Sequence, residues 1–260
     1  MTDVLMRGDA PLSGEDWAKL NQVVIDVARQ LLVGRQIVEL TGPLGLGTQT
    51  VPMLSVGEND GVTRVSERSF LTLSVLEQDF ELAWQDLAAA QSQGLPLELG
   101  PAAAASAACA NAEDKLIFSA LLNAQGRSTA KLGDWNEPGQ ALETIVSATA
   151  QLVANGFFGP FAIVLSPALY AKTQRIAQGM GRLVSKLIGD VAEGGLFRSP
   201  LLAANQGIVL AQGKHNLDLV VGQDLTVAYL GNETLNHHFR VLESLALRIK
   251  RPGAICTLEK

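Results

Sequence analysis

Three histidines, two cysteines, an adjacent pair of acids and one serine are the residues of this 260-residue chain whose types could do chemistry. None stands at a spacing that does it. A metal site needs converging ligands, and the chain has neither an HExxH helix nor a CxxC pair to go with His215, His237 and His238. His237 and His238 are neighbours in a strand-like stretch, so they point to opposite faces. Cys109 lies in an alanine-rich helical run and reads as a buried thiol; with Cys256 it makes no disulfide framework. Glu113 and Asp114 diverge by about 100° around a helix, which suits a cap or an ion pair at a subunit contact better than general acid–base work. Ser166 sits in LSPAL, not in the GxSxG of a nucleophile elbow. GPLGLGTQTVPML (42–54) is glycine-rich but has neither the dinucleotide fingerprint nor the Lys-Ser/Thr of a P-loop. The Asn232–Thr234 sequon has no use in a cytoplasmic chain. A protein without intrinsic catalysis is expected.

Composition points the same way. The apolar fraction is 47% and the charged fraction 18%, a balance that favours association between chains. A net charge of −6 with no Lys/Arg stripe argues against nucleic acid as a partner. The run RIKRP (248–252) reads as a solvated strand end. The start, MTDVLMRGDAPLSGED, has no apolar signal core, and no uncharged run reaches membrane-spanning length. The expectation is a soluble cytoplasmic protein with no membrane partner.

The elements that must position these residues are mixed α/β, without a regular βαβ period. Residues 216–231 and 237–253 alternate at period two and form a long hairpin around the turn GNETLN. Leu217, Leu219, Val221, Leu225, Val227 and Tyr229 share one side of its first strand. Phe239, Val241, Leu245, Leu247 and Ile249 share one side of its second. At the other end, Ser13 caps a helix whose apolar stripe is Trp17, Leu20, Val24, Val27 and Leu31, with Gly34 as its stop. That stripe packs on its own core or forms one wall of a partner groove. RQIVEL (35–40) reads as a short strand. Residues 51–73 form a projecting hairpin about GENDG, and Phe70 to Asp79 a further strand. Helices are predicted over 84–94, 101–125 and 137–156. Residues 159–167 form an apolar strand covered on both sides. A helix interrupted near Gly179–Gly181 follows, and then GGLFRSP and NQGIVLAQ return to the sheet. AICTLEK (254–260) has no assignment.

Several blocks, in order along the chain, resemble the encapsulins, shell proteins of bacterial nanocompartments related to tailed-phage capsid proteins. They are RGDAPLSGEDWAKL, LLVGRQIVELTGPLG, AEDKLIFSALLNAQG, GPFAIVLSPALY, FRSP and, most specific, VVGQDLTVAYLG. The resemblance implies the HK97-like capsid fold and a closed icosahedral homo-oligomer of sixty copies. It divides the chain into an N-terminal helix and start of the peripheral domain (1–49), an extended loop (50–72), the peripheral domain with its spine helix (73–136), an axial domain (137–228) and a return hairpin with the C-terminal tail (229–260). It implies a groove for the C-terminal targeting peptide of a cargo enzyme, a dye-decolorising peroxidase or a ferritin-like iron-storage protein. By position the groove residues are Val24, Val27, Leu31, Arg35 and Glu39, with the hairpin from Leu235 to Phe239 close by. No cofactor is required; some relatives carry a flavin against a tryptophan matching Trp84. Asp190 and Glu193, in the loop Leu187–Gly195, would ring a five-fold pore and favour cations. The alternative is a phage or prophage major capsid protein. LGLGTQT (44–50) departs from the aromatic residues common there in relatives.

Overall fold

Ser13 starts the first helix, α1 (Gly14–Leu31), through a capping box. Its hydroxyl accepts the Asp16 N–H at 3.1 Å, and the Asp16 carboxylate accepts the Ser13 N–H at 3.2 Å. In this computed structural model, which describes residues 3–59 and 62–260, the buried stripe of α1 is Leu20, Val24 and Ala28. The predicted stripe is therefore rotated: Val27 is half-buried and Leu31 is exposed. Gly34 does not end α1. It opens a second short helix, α2 (Gly34–Ile37), where a strand was expected, and only Leu40–Thr41 forms a strand, β1. The cause is Asp114, whose carboxylate accepts the N–H groups of Val33 at 2.9 Å and Gly34 at 2.7 Å. Glycine is required because a Cβ at position 34 would meet Ile117 and Asp114 at 2.5 and 2.8 Å.

The projecting hairpin pairs β2 (Thr50–Asn59) with β3 (Val62–Thr72); the turn residues Asp60 and Gly61 of GENDG lie outside the described residues. The strand expected over 70–79 splits at buried Leu73, whose N–H bonds Gln49 O at 2.9 Å; beyond it β4 (Ser74–Leu82) enters another sheet. Next come α3 (Trp84–Gln93), the long α4 (Gly100–Asn123), β5 (Ser128–Lys131), α5 (Gln140–Ala154) and β6 (Phe161–Leu165). They lead to α6 (Pro167–Thr173), α7 (Val184–Val191), β7 (Leu196–Arg198) and β8 (Gly207–Ala211). The helix interruption is wider than its two glycines: residues 174–183 form a loop closed by Val184 N to Arg175 O at 2.9 Å. The terminal hairpin is β9 (Leu217–Glu233) and β10 (Asn236–Ile249), turning on Thr234 and Leu235, both at positive φ. The last strand is β11 (Ile255–Glu259).

Two larger sheets result. One has the order β1-β9-β10-β4, the other β5-β11-β8-β6-β7. The unassigned segment AICTLEK thus supplies the strand between β5 and β8. The expected domain limits shift accordingly. The β5 and β11 strands, expected outside the axial domain, share one sheet with β6, β7 and β8, and β9 from Leu217 belongs to the sheet of the hairpin. One core joins both sheets, with Ala162, Val164, Ile208 and Leu210 meeting Ile117, Leu121, Leu217 and Leu219. The opposite face of β6, through Ile163 and Leu165, packs with α5, α6 and α7, so this strand is covered on both sides as predicted. A third core sets Leu20, Val24 and Cys109 against Phe80, Val227 and Phe239. The basic run near the end of β10 is not a solvated strand end. Arg248 forks onto buried Asp218 at 3.0 and 2.7 Å and holds Pro52 O at 3.0 Å, at the base of the projecting hairpin. Lys250 reaches the same carboxylate at 3.0 Å.

Candidate binding trough along the second helix

Residues from the end of α1, from α2 and from β9 at Asp224 and Leu225 enclose a cavity of about 420 Å³. Its walls are apolar at Ile25, Ala28, Leu32, Leu40 and Leu225, with Arg29, Arg35 and Asp224 at its polar edge. Arg35, Gln36 and Leu40 also line a second cavity of about 800 Å³, whose far wall includes Pro160, Lys214 and His215 and whose near wall includes Glu39. The two share Arg35, Gln36 and Leu40 in their walls; together they make up the trough along α2, apolar on the side of Ile25 and Leu225 and charged on the side of Glu39 and Lys214. Apolar clefts with a few fixed polar groups are the usual form of a recognition site.

Beneath the trough lies a buried ion cluster. Arg35 Nε and Nη2 fork onto Glu113 at 2.8 and 2.7 Å, Nη2 also reaches Glu243 at 2.8 Å, and Nη1 reaches Asp224 at 2.8 Å. Glu113 and Glu243 are both wholly buried, and Glu243 Oε1 has no hydrogen-bond partner among the described residues. Burial lowers the Arg35 pKa, but Glu113 and Asp224 outweigh it, and the guanidinium is held above its ordinary value. Burial first, then the Glu113 charge, pushes Glu243 up to about 9 against the pull of Arg35. Burial likewise pushes Asp114 up to about 6, although two backbone N–H groups pull it down.

The expected groove residues divide. Arg35 and Glu39 line the trough. Val24 and Phe239 do not: Val24 is core, and Phe239 is wholly buried, stacked on Phe80 at 5.4 Å and edge-on to Trp17 at 5.9 Å. Leu31 is exposed and half-buried Val27 lies outside the set lining the cavity. Leu235 is exposed at the hairpin turn beside α3, where Asn236 Oδ1 accepts the Trp84 N–H at 3.2 Å. The residues missed were Ile25, Leu32 and Leu225, together with Glu243. That last one was signalled: it is a charge in the inward phase of β10 between Val241 and Leu245, and an inward charge demands a buried partner. Glu113 and Asp114 serve as the expected ion pair and cap, both within the chain: Glu113 holds Arg35 and Asp114 holds the N–H groups of Val33 and Gly34.

Elsewhere, Asp190 and Glu193 are exposed, but Leu187 to Val191 is the end of α7 rather than loop. Asp190 pairs with Arg182 at 2.9 Å, which offsets its charge. The Trp84 indole, 45% exposed, offers a stacking face at the start of α3. Cys109 and Cys256 are buried, and burial pushes their thiols up to about 12 and about 11, away from reactive thiolate. His237 meets the Tyr229 hydroxyl at 2.8 Å while His238 faces Glu81 at 3.6 Å, so the pair diverges as the strand requires. Among the described residues no group of three His, Cys, Asp or Glu side chains could hold a metal. Among them, too, no helix is long and apolar enough to cross a membrane.

The paired sheets, spine helix and projecting hairpin define a capsid-type shell subunit. The capsid of Myoviridae phage XM1 shares this fold alone, with a TM-score of 0.60 at 15% identity over 87% of this chain and 90% of that one. The virus-like particle from Pyrococcus furiosus superposes with a TM-score of 0.83 at 26% identity, over 94% of this chain and 99% of that one. Residues 1–246 match the family model described as encapsulating protein for peroxidase, Linocin_M18. A type 1 encapsulin shell protein of Myxococcus xanthus is 44% identical across 100% of this chain and 97% of its own length. The chain belongs to the encapsulin shell-protein family. The phage-capsid alternative gives way to that match, and the HK97-like fold stands.

Proposed function

We propose that this chain assembles as a closed shell of sixty copies in the cytoplasm and holds a peroxidase inside by a C-terminal targeting peptide seated in the α2 trough. The subunit itself performs no catalysis. The observation that carries this reading is the trough: an apolar end formed by Ile25, Leu32 and Leu225 runs into a charged end with Glu39 and Lys214. A short amphipathic peptide gains burial at the first and register at the second. Sixty such sites facing one lumen would retain an oligomeric cargo by avidity even where each is weak.

The test begins with shells purified from their native host and mass spectrometry of what they contain. A labelled peptide copying the C-terminus of the retained protein is then titrated against empty shells. Binding that Ile25→Asp abolishes, with shells intact, supports the trough. Binding untouched by Ile25→Asp sinks it. Flavin is an optional passenger at Trp84. Yellow shells whose visible absorbance is lost in Trp84→Ala would place it there, and colourless shells would remove it.

A further inference from the structure

The strands of the projecting hairpin pair with each other and form a sheet of their own. At its base a small core sets Val51 and Leu73 against Val220 of β9 and Ala246 of β10. Burial of that kind is not directional, so it holds the hairpin down without fixing its tilt. Beside it stands a directional contact, from Arg248 Nη1 to Pro52 O at 3.0 Å.

Arg248 is itself fixed. Its Nε and Nη2 fork onto the Asp218 carboxylate at 3.0 and 2.7 Å, which sets the plane of the guanidinium and so the direction of Nη1. Asp218 is 1% exposed, and Thr41 Oγ1 and Lys250 Nζ hold it at 2.7 and 3.0 Å. Residues of β1, β9 and β10 thus aim a single donor at β2. Pro52 suits the receiving end, since without an N–H it presents only a carbonyl.

We propose that Arg248 is a positioning residue for shell assembly: through Pro52 it fixes the angle at which the hairpin leaves the body, and with it the place of Phe70. Phe70 is opposite Pro52 in the hairpin register and 77% exposed, so the tie lies level with an apolar ring that its own chain leaves uncovered. This role rests on the chain's being a shell subunit, and not on the cargo or the copy number proposed above. An error at the base grows along the strand. At ordinary strand rise Asn59 lies about 23 Å beyond Pro52, so a tilt of about 5° displaces it by about 2 Å. Head-to-tail contacts close only if the rotation between copies is held, and open or differently sized assemblies follow when it is not.

A pair of variants isolates the hairpin tie from the ion pair. Arg248→Met and Lys250→Met each remove one of the two cations on Asp218 and leave the other. Of the two, Arg248→Met also cuts the bond to Pro52. Mass photometry of the assembled particles is compared with wild type, and circular dichroism checks the fold. Lys250→Met is expected to give particles of wild-type mass. Arg248→Met is expected to give native-like subunits whose particle masses are shifted or spread over other closed sizes and open fragments. Particles of wild-type mass from Arg248→Met overturn the proposal. An equal disturbance from both variants also overturns it, because it would assign the effect to the ion pair rather than to the hairpin. Should Arg248→Met fail to fold, Arg248→Lys decides. It keeps a cation beside Asp218, but one ammonium nitrogen cannot fork onto the carboxylate and also aim a fixed third donor at Pro52. A spread of particle masses from Arg248→Lys supports the role, and a single wild-type mass defeats it.

Discussion

Glu113 and Asp114 stand side by side on α4, point apart, and still serve one short segment. Glu113 holds the Arg35 side chain, and Asp114 holds the Val33 and Gly34 backbone. Asp114→Ala would strip two N–H groups of their partner at the base of α2, at a cost of about 2–3 kcal/mol, read as a shift in the denaturation midpoint. An unchanged midpoint would mean that water or the backbone replaces the carboxylate. Asp114 also carries a pH signature. The folded chain holds its proton up to about 6, an unfolded one only to 3.8, so stability from this group falls as pH rises between those values. Asp114→Asn should flatten that slope, and a slope surviving in the variant would assign it to another group. The sequence disclosed both acids and their divergence. It hid their targets, because a loop some eighty residues earlier in the chain is brought to them only by the packing of α1 on α4.

At the scale of elements, period two and helical period predicted most of what formed. The long hairpin is legible because β9 and β10 alternate over more than a dozen residues each. Three register shifts between them are not: β10 keeps an unbroken register with β4, and the extra residues fall on β9. The segment 35–40 failed for a physical reason: its apolar residues fit a strand, but the Asp114 cap captured its start as a helix. The short strands β5 and β11 were unreadable alone, because each is defined by partners distant in sequence. The loop after β1 shows what a glycine can fix. Leu44 N and Gly45 N bond the carbonyls of Val221 and Gly222 at 3.0 and 2.8 Å, and Gly42, at φ 124°, brings the chain against β9. A Cβ there would overlap the Val221 carbonyl oxygen. Gly42→Ala should therefore cost more than about 1 kcal/mol, and thermal melts of shells would register the loss. A melt equal to wild type would mean that the loop can re-form away from the strand.

The whole molecule combines a fold complete in one chain with a surface that is not. Completeness depends on the last six residues: Ile255 to Leu258 are wholly buried between β5 and β8, in contact with both neighbouring strands. Incompleteness shows in apolar side chains left in water, with Phe70 on the projecting hairpin 77% exposed and Val75, Phe158, Ile176 and Met180 also exposed. A single chain has no use for them, whereas neighbouring copies in a shell would cover them. Two variants separate these properties. Deleting residues 255–260 removes an interior strand of the five-stranded sheet, so far-ultraviolet circular dichroism should lose its native shape and the product should aggregate. Phe70→Asp changes a residue that touches little within its own chain. Its spectrum should match wild type, while each copy forfeits about 1.5–3 kcal/mol of burial against a neighbour. That loss is repeated at every contact of a closed shell, so size-exclusion chromatography should show small species in place of particles. Shells of normal size from Phe70→Asp would show that Phe70, at the base of the hairpin, carries no part of the assembly. A soluble, native-like product from the deletion would show that the five-stranded sheet closes without its C-terminal strand.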